Sequence, residues 1–241
     1  LSYVFIPIYC FTLIYSFEVG GKKLKNIFYI LISSILFANF IHSGSSSLIV
    51  VITLSIALII LIYIFINNNF KIIYNLFISL FLGLIISSSK INASFAFLSN
   101  FTREYPPLLF ENFVSLLINT VKSLFFFPDI NRFNSDTINQ VTNQLQIHEI
   151  EFGVSIIPLI IFVFFILYIK KFLINKFTIV KFISFILTLI ILIFTVSVNL
   201  SNNEIGVFFR ELPVVKSTWV HFRLTSIYII PIILISCLLL N

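Results

Sequence analysis

Residues 48–66 read LIVVITLSIALIILIYIFI, a continuous apolar stretch without a charged side chain. A helix needs about 20 mostly apolar residues to cross the hydrocarbon core of a bilayer, which is roughly 30 Å thick. A membrane strand would instead alternate apolar and polar residues over shorter stretches. This stretch therefore predicts a membrane-spanning helix, and the fold depends on how often the pattern recurs.

The pattern recurs along most of the chain. Of its 241 residues, 59% are hydrophobic and 10% are charged, whereas a soluble domain averages about 25% charged residues. A soluble core of this size cannot bury so much apolar surface, so the composition excludes a soluble enzyme, a nucleic-acid-binding domain and a disordered chain. We expect an all-α polytopic transmembrane helical bundle of about seven spans, at residues 3–17, 26–41, 48–66, 72–86, 152–169, 177–198 and 224–240.

Residues 1–241 are expected to form a single membrane domain. The chain begins and ends within apolar runs, and we interpret it as a fragment of a longer protein that lacks the N-terminal part. Its richness in Ile, Phe, Asn and Lys is typical of AT-rich bacterial coding. The expected location is the bacterial cytoplasmic membrane, with several passes of the chain.

The charges divide between alternate loops. One set of loops carries eight lysines and one glutamate, and the other carries seven basic and eight acidic residues. The positive-inside rule places the lysine-rich loops in the cytoplasm. Loops 42–47, 87–150 and 199–223 then lie outside, and they contain all four arginines. The lysines of the inner set are Lys22, Lys23, Lys25, Lys71, Lys170, Lys171, Lys176 and Lys181.

Residues 108–127, within the long outer loop, have the pattern of an amphipathic helix. At about 100° per residue, their polar side chains fall in one arc of a helical wheel and the rest are apolar. Such a helix would lie along the outer membrane surface. The alternative is an eighth span, which would move Lys170, Lys171 and Lys176 outside, against the charge asymmetry. The arc consists of Glu111, Asn112, Ser115, Asn119, Lys122 and Ser123.

Familiar catalytic motifs are absent from the sequence. It has no GxxxxGK[ST], GxGxxG, HExxH, CxxC or GxSxG pattern, and no acidic residue in the middle of a predicted span, as an ion-coupled carrier would normally need. Cys10 and Cys237 stand alone in apolar segments, which favours buried packing over a disulfide or metal site. We therefore predict no metal ligands.

The polar chemistry is concentrated in three outer clusters, at residues 100–107, 148–153 and 210–223. Arginine binds phosphate oxygens through two parallel hydrogen bonds, and lysine adds a point charge. A ring of such side chains at the headgroup level could hold a phosphate-bearing lipid beside a carboxylate. The plainer interpretation is interfacial anchoring with local Arg–Glu pairs.

The order of these features resembles that of the bacterial YfhO-type and related GT-C membrane glycosyltransferases. The matching stretches are residues 42–44 after an early helix, 98–107 with Arg103, 149–153 opening a helix, and 212–213 followed by Arg223. The resemblance implies a helical bundle with an external active site. It also implies transfer of a sugar from a polyprenyl phosphate to a glycan or lipid acceptor.

Residue roles follow from the same resemblance. It implies donor-phosphate binding by Arg103, Arg210, Lys216 and Arg223, and an acceptor side shaped by His42 and Glu149. The catalytic acid of the family is expected upstream of Leu1. The partners would be membrane lipid, the polyprenyl-phosphate sugar and its acceptor, with no nucleic acid. A divalent metal is compatible with the family but is not indicated by this chain.

Three other functions fit the same pattern. An exporter, flippase or polymerase of lipid-linked polysaccharide would need a similar cationic outer surface. A non-enzymatic membrane scaffold should scatter its outer charges, and an ion-coupled transporter should show a polar site at the midplane.

Overall fold

The computed structural model describes residues 5–18, 23–43, 49–100, 110–126, 156–161, 163–164, 178–201, 203–212 and 221–240. Nearly all of them are helical. The chain folds into two compact units, unit 1 (residues 1–103 and 178–188) and unit 2 (104–177 and 189–241). The labelled helices are α1 Phe5–Glu18, α2 Lys23–His42, α3 Ile49–Asn67, α4 Ile72–Ile86, α5 Ser88–Asn100, α6 Phe113–Phe125, α7 Ile179–Asn199, α8 Glu204–Arg210, a 3₁₀ helix His221–Tyr228, and α9 Ile229–Leu240. Residues 156–161 and 163–164 are also helical.

Within the described residues, three helices are long and apolar enough to cross a membrane, namely α2, α3 and α7. A fourth crossing results if α4 and the first part of α5, which meet at an angle of 66°, count as one broken span. The seven predicted spans are therefore not confirmed. One reason is length, because α1 has 14 residues and at 1.5 Å per residue reaches only about 21 Å.

The described part of segment 87–150 contains one helix more than the sequence analysis predicted. Helix α5 lies where a loop was expected. The loop was expected because the sequence SSKINASFAFLSN has too many polar residues to form an apolar run. Helix α6 falls inside the predicted amphipathic segment 108–127 but is shorter than it. Near the C-terminus, Pro231 lies in the first turn of α9, where its missing N–H is tolerated. The predicted span 224–240 is accordingly split into a 3₁₀ and an α-helical part.

Several helices bury polar side chains and expose large apolar ones, beside an apolar core that includes much of α3. Asn75 and Ser79 on α4 and Ser87 at its C-cap are buried, whereas Tyr74 and Phe77 are exposed. Helices α2 and α7 likewise bury hydroxyl groups and expose many of their large apolar side chains. In lipid this is the favourable arrangement, because polar groups must bond within the protein and apolar ones meet apolar solvent. The described residues are thus almost entirely helical, and the chain is a membrane protein.

In unit 1 the helices run alternately up and down. The hydroxyl of Tyr63 on α3 donates to Glu18 Oε1 at the end of α1, over 3.5 Å. Asn75 Nδ2, at the start of α4, donates to Asn26 Oδ1, near the start of α2, over 3.4 Å. These contacts bring the α1–α2 and α3–α4 connections to one end of the unit.

The start of α7 reaches the same end of unit 1. Thr178 donates a hydrogen bond to Asn68 Oδ1, and Lys181 Nζ lies 5.7 Å from the ring centre of Phe65. Asn68 itself has φ of 56°, a left-handed conformation that asparagine tolerates well. The described lysines of the inner set, Lys23, Lys25, Lys71 and Lys181, therefore lie in segments that meet at one end of unit 1. That this end faces the cytoplasm stays a prediction.

Unit 2 is organised around the second half of α7. Phe110 forms an isolated β-bridge with Leu200, just beyond the end of α7, and its ring lies 5.5 Å from that of Phe222. The hydroxyl of Tyr228 is hydrogen-bonded to that of Thr195 on α7. A small apolar core forms between Leu124 and Phe125 of α6 and the side chains Val121, Leu159, Tyr228, Ile229 and Ile232.

Candidate functional site

The structure describes the side chains of two of the six candidate site residues. His42 is the last residue of α2, in unit 1, and is exposed. Arg210 is the last residue of α8, in unit 2, and is half-buried. Arg223 lies in the 3₁₀ helix, but its side chain lies outside the described part, as do Arg103, Glu149 and Lys216 altogether. The expected convergence of these side chains stays a prediction.

Arg210 holds the carboxyl end of α7. Its Nη1 donates to the carbonyl oxygens of Val198 and Leu200, over 3.0 Å and 2.8 Å. The last carbonyl groups of a helix lack partners within that helix and carry its negative dipole end, so a guanidinium group binds there favourably. Partial burial lowers the pKa of Arg210 from its ordinary value, and the charge of Glu211 opposes this. The guanidinium group still remains charged.

A glycine allows α8 to lie directly against this helix end. A Cβ atom on Gly206 would stand 2.0 Å from the carbonyl oxygen of Ser197, far inside van der Waals contact. Asn203 caps the start of α8, its Oδ1 accepting from the backbone N–H groups of Ile205 at 3.0 Å and Gly206 at 3.4 Å. Gly206 and Asn203 therefore hold α8 in a position from which the side chain of Arg210 reaches the end of α7.

Asn199 places an unsatisfied acceptor at the same helix end. Its side chain is fully buried, and Nδ2 donates to the carbonyl oxygen of Thr195 over 2.7 Å. Its Oδ1 is the buried side-chain atom that lacks a hydrogen-bond partner in the described part of the chain. Buried acceptors of this kind are usually satisfied by a water molecule or a ligand donor.

The sequence analysis missed a second polar feature, a seam of hydrogen bonds through unit 1. Tyr9 and Ser79 are joined through their hydroxyl groups at 3.1 Å, and Thr12 and Ser33 at 2.8 Å. Asn75 Nδ2 donates to Ser16 Oγ over 3.0 Å. The seam connects α1, α2 and α4. The four-residue spacing of Asn75, Ser79, Gly83 and Ser87, along α4 and its C-cap, could have revealed the seam in the sequence. The sequence analysis searched for clusters of charge, and the seam contains no charged residue.

The seam consists of groups that satisfy one another. Hydrogen bonds of this kind hold membrane helices together, and Gly83 lets α2 approach closely, since a Cβ there would stand 2.7 Å from Phe37 Cδ1. We therefore assign the seam to assembly of unit 1. Among the described residues, no three His, Cys, Asp or Glu side chains form a group that could hold a metal ion.

Comparison with known proteins gives no relative: no protein-family model, curated protein or solved structure matches this chain.

Proposed function

We propose that the chain is part of an integral-membrane glycosyltransferase of the GT-C type, acting on a polyprenyl-phosphate-linked sugar at the extracytoplasmic face. The proposal includes seven crossings, with α6 along the outer surface of the bacterial cytoplasmic membrane. The observation that carries it is the position of Arg210, a half-buried cation at the end of a helix of membrane-crossing length.

The chemistry of this position suits a lipid phosphate. The two hydrogen bonds of Arg210 to α7 leave from Nη1, so an anion would meet the Nε–Nη2 edge, which binds two phosphate oxygens at once. A polyprenyl phosphate carries its charge at the headgroup level, where α7 ends. As the sugar leaves, negative charge grows on the phosphate, and fixed cations stabilise it. Arg103, Lys216 and Arg223 would complete the set, with His42 and Glu149 on the acceptor side.

Binding is tested with a photoreactive polyprenyl phosphate on the 241-residue chain in lipid nanodiscs. We expect labelling to fall about tenfold or more in Arg223→Ala and Arg210→Lys, because a hydrogen bond to a charged group contributes about 1.5–3 kcal/mol. Arg210→Lys keeps a cation for the end of α7 but removes the planar fork. Arg132→Ala is the matched control, since Arg132 lies in an outer loop and outside the proposed set.

The outcomes separate the functions. Selective loss of labelling, together with sugar transfer to an acceptor by the full-length protein, supports the glycosyltransferase. Labelling without transfer, but with movement of the lipid-linked sugar across the vesicle membrane, identifies an exporter or flippase and overturns the enzyme proposal. An equal loss in Arg132→Ala shows a general charge effect and removes the phosphate site.

A further inference from the structure

The first two turns of α6 carry an unpaired apolar stripe. Phe113, Val114, Leu117 and Ile118 are between 45% and 65% exposed. Their spacing puts them on one side of the helix. Glu111 and Asn112, which precede the helix, are exposed polar residues. An apolar stripe of this kind marks a surface that contacts something other than water.

The start of α6 is fixed at the level where α7 ends. The backbone N–H of Phe110 donates to the carbonyl oxygen of Asn199 over 2.9 Å, and its own carbonyl oxygen accepts from the N–H of Ser201 at 3.0 Å. Helix α7 has 21 residues, hence a length of about 32 Å, close to the hydrocarbon thickness of a bilayer. Its end therefore lies at a membrane boundary, and α6 begins three residues after Phe110.

The end of α6 lies near the same level. Leu124 and Phe125 pack against Tyr228 and Ile229, and the Tyr228 hydroxyl bonds to Thr195, one turn before the end of α7. Helix α6 has 13 residues and is about 20 Å long, too short to cross. Ser123, which the helical wheel placed on the polar arc, is buried because it lies in the turn that packs on this core.

We propose that α6 is a membrane-surface helix whose apolar stripe is covered by the acyl chains of lipids in the leaflet at the carboxyl end of α7. Continuity with α7 argues for this occupant, because the large apolar side chains of α7 are themselves mostly exposed and must meet the same chains. The first turns of α6 begin at the membrane boundary, so their apolar side chains reach the part of the lipid acyl chains that lies nearest the glycerol. This inference rests on the surface position of α6 in the proposed function and adds what covers its apolar stripe; it does not depend on the reaction that the protein performs.

Quenching of tryptophan by brominated lipids tests the stripe. The chain has one tryptophan, so Trp219→Phe gives a background into which Leu117→Trp or Ile118→Trp is introduced, with Asn112→Trp as the control on the polar side. The vesicles contain phosphatidylcholine brominated either near the glycerol or at the chain ends. We expect bromines near the glycerol to quench the two stripe positions about twofold more than the control, as for a helix buried about 5–10 Å.

Two results would overturn the proposal. Stripe tryptophans that no brominated lipid quenches would show that protein covers the stripe. Strongest quenching by bromines at the chain ends would make α6 a spanning helix. A nitroxide attached at Leu117→Cys, in a Cys10→Ala, Cys237→Ala background, gives a second measurement: higher accessibility to oxygen than to a water-soluble nickel complex is expected, and the reverse contradicts the proposal.

Discussion

Two glycines lie at close helix contacts, and they differ in what surrounds them. At Gly206 a Cβ would stand 2.0 Å from the backbone carbonyl oxygen of Ser197. At Gly83 the nearest atom, at 2.7 Å, belongs to the ring of Phe37, and the nearest backbone oxygen, of Ser34, is 3.0 Å away. A ring can rotate or shift by a few tenths of an ångström. A carbonyl at the end of α7 cannot move without disturbing the hydrogen bonds that Arg210 and Phe110 make there.

We therefore predict that Gly206→Ala is more destabilising than Gly83→Ala. Overpacking of a close contact lowers the free energy of unfolding by about 1–3 kcal/mol, and the loss for Gly206→Ala should lie at or above the upper end of this range. The midpoint of thermal unfolding in a mild detergent measures the difference. Val207→Ala, at an exposed position of α8, is the control and should leave the midpoint almost unchanged. Equal midpoints for the two glycine variants would contradict the prediction.

Among the elements, α4 has a polar interior face because its buried side chains form hydrogen bonds with α1. Ser79 bonds to Tyr9, and Asn75 bonds to Ser16, while Phe77 points outward. Interhelical hydrogen bonds in membranes contribute on average about 0.6 kcal/mol each. The steric fit of the small side chains therefore matters more than any one bond.

We predict a graded response along α4. Ser79→Ala should lower the free energy of unfolding by about 0.6 kcal/mol, and Ser79→Leu by about 1–3 kcal/mol because it overpacks the helix interface. Phe77→Leu, on the lipid side, should have almost no effect. Unfolding in mixed micelles of rising denaturing-detergent content gives these differences. A Ser79→Leu variant as stable as the parent would show that the seam is not a packed interface.

How far the sequence could predict each element depended on its composition. The stretches that became α2, α3, α4 and α7 are predominantly apolar, so their composition was enough to find them within a few residues. Helix α5 was missed because Ser88, Ser89 and Lys90 begin it. The candidate site was chosen by charge, which found Arg210 but not its role at the end of α7. That role depends on Gly206 and Asn203, which are uncharged and were therefore not found by a search for charged residues.

For the whole molecule, the sidedness of the loops is the main prediction. Contacts in unit 1 bring the α1–α2 connection, the α3–α4 connection and the start of α7 to one end. The lysine-rich loops should all be cytoplasmic, whereas segment 87–150 should be external.

Cysteine labelling in a Cys10→Ala, Cys237→Ala background checks this arrangement. Lys23→Cys and Asn69→Cys should react with an impermeant thiol reagent only after the cells are opened. Asn134→Cys should react in intact cells. Different behaviour of positions 23 and 69 would contradict the shared end of unit 1. Labelling of position 23 from outside, with position 134 protected, would reverse the topology.

The exposure of most large apolar side chains of α7 also bears on how the chain is made. A segment with few protein neighbours must leave the translocon for lipid on its own composition. The predominantly apolar sequence of α7, whose one charged residue is Lys181 near its start, is sufficient for that. Helix α2 begins with Lys23 and Lys25 and buries Ser33 and Ser34, so it depends on α1 and α4 for partners. During biosynthesis α7 can therefore insert as it emerges from the ribosome, whereas α2 reaches its final position only after α4 has been synthesised.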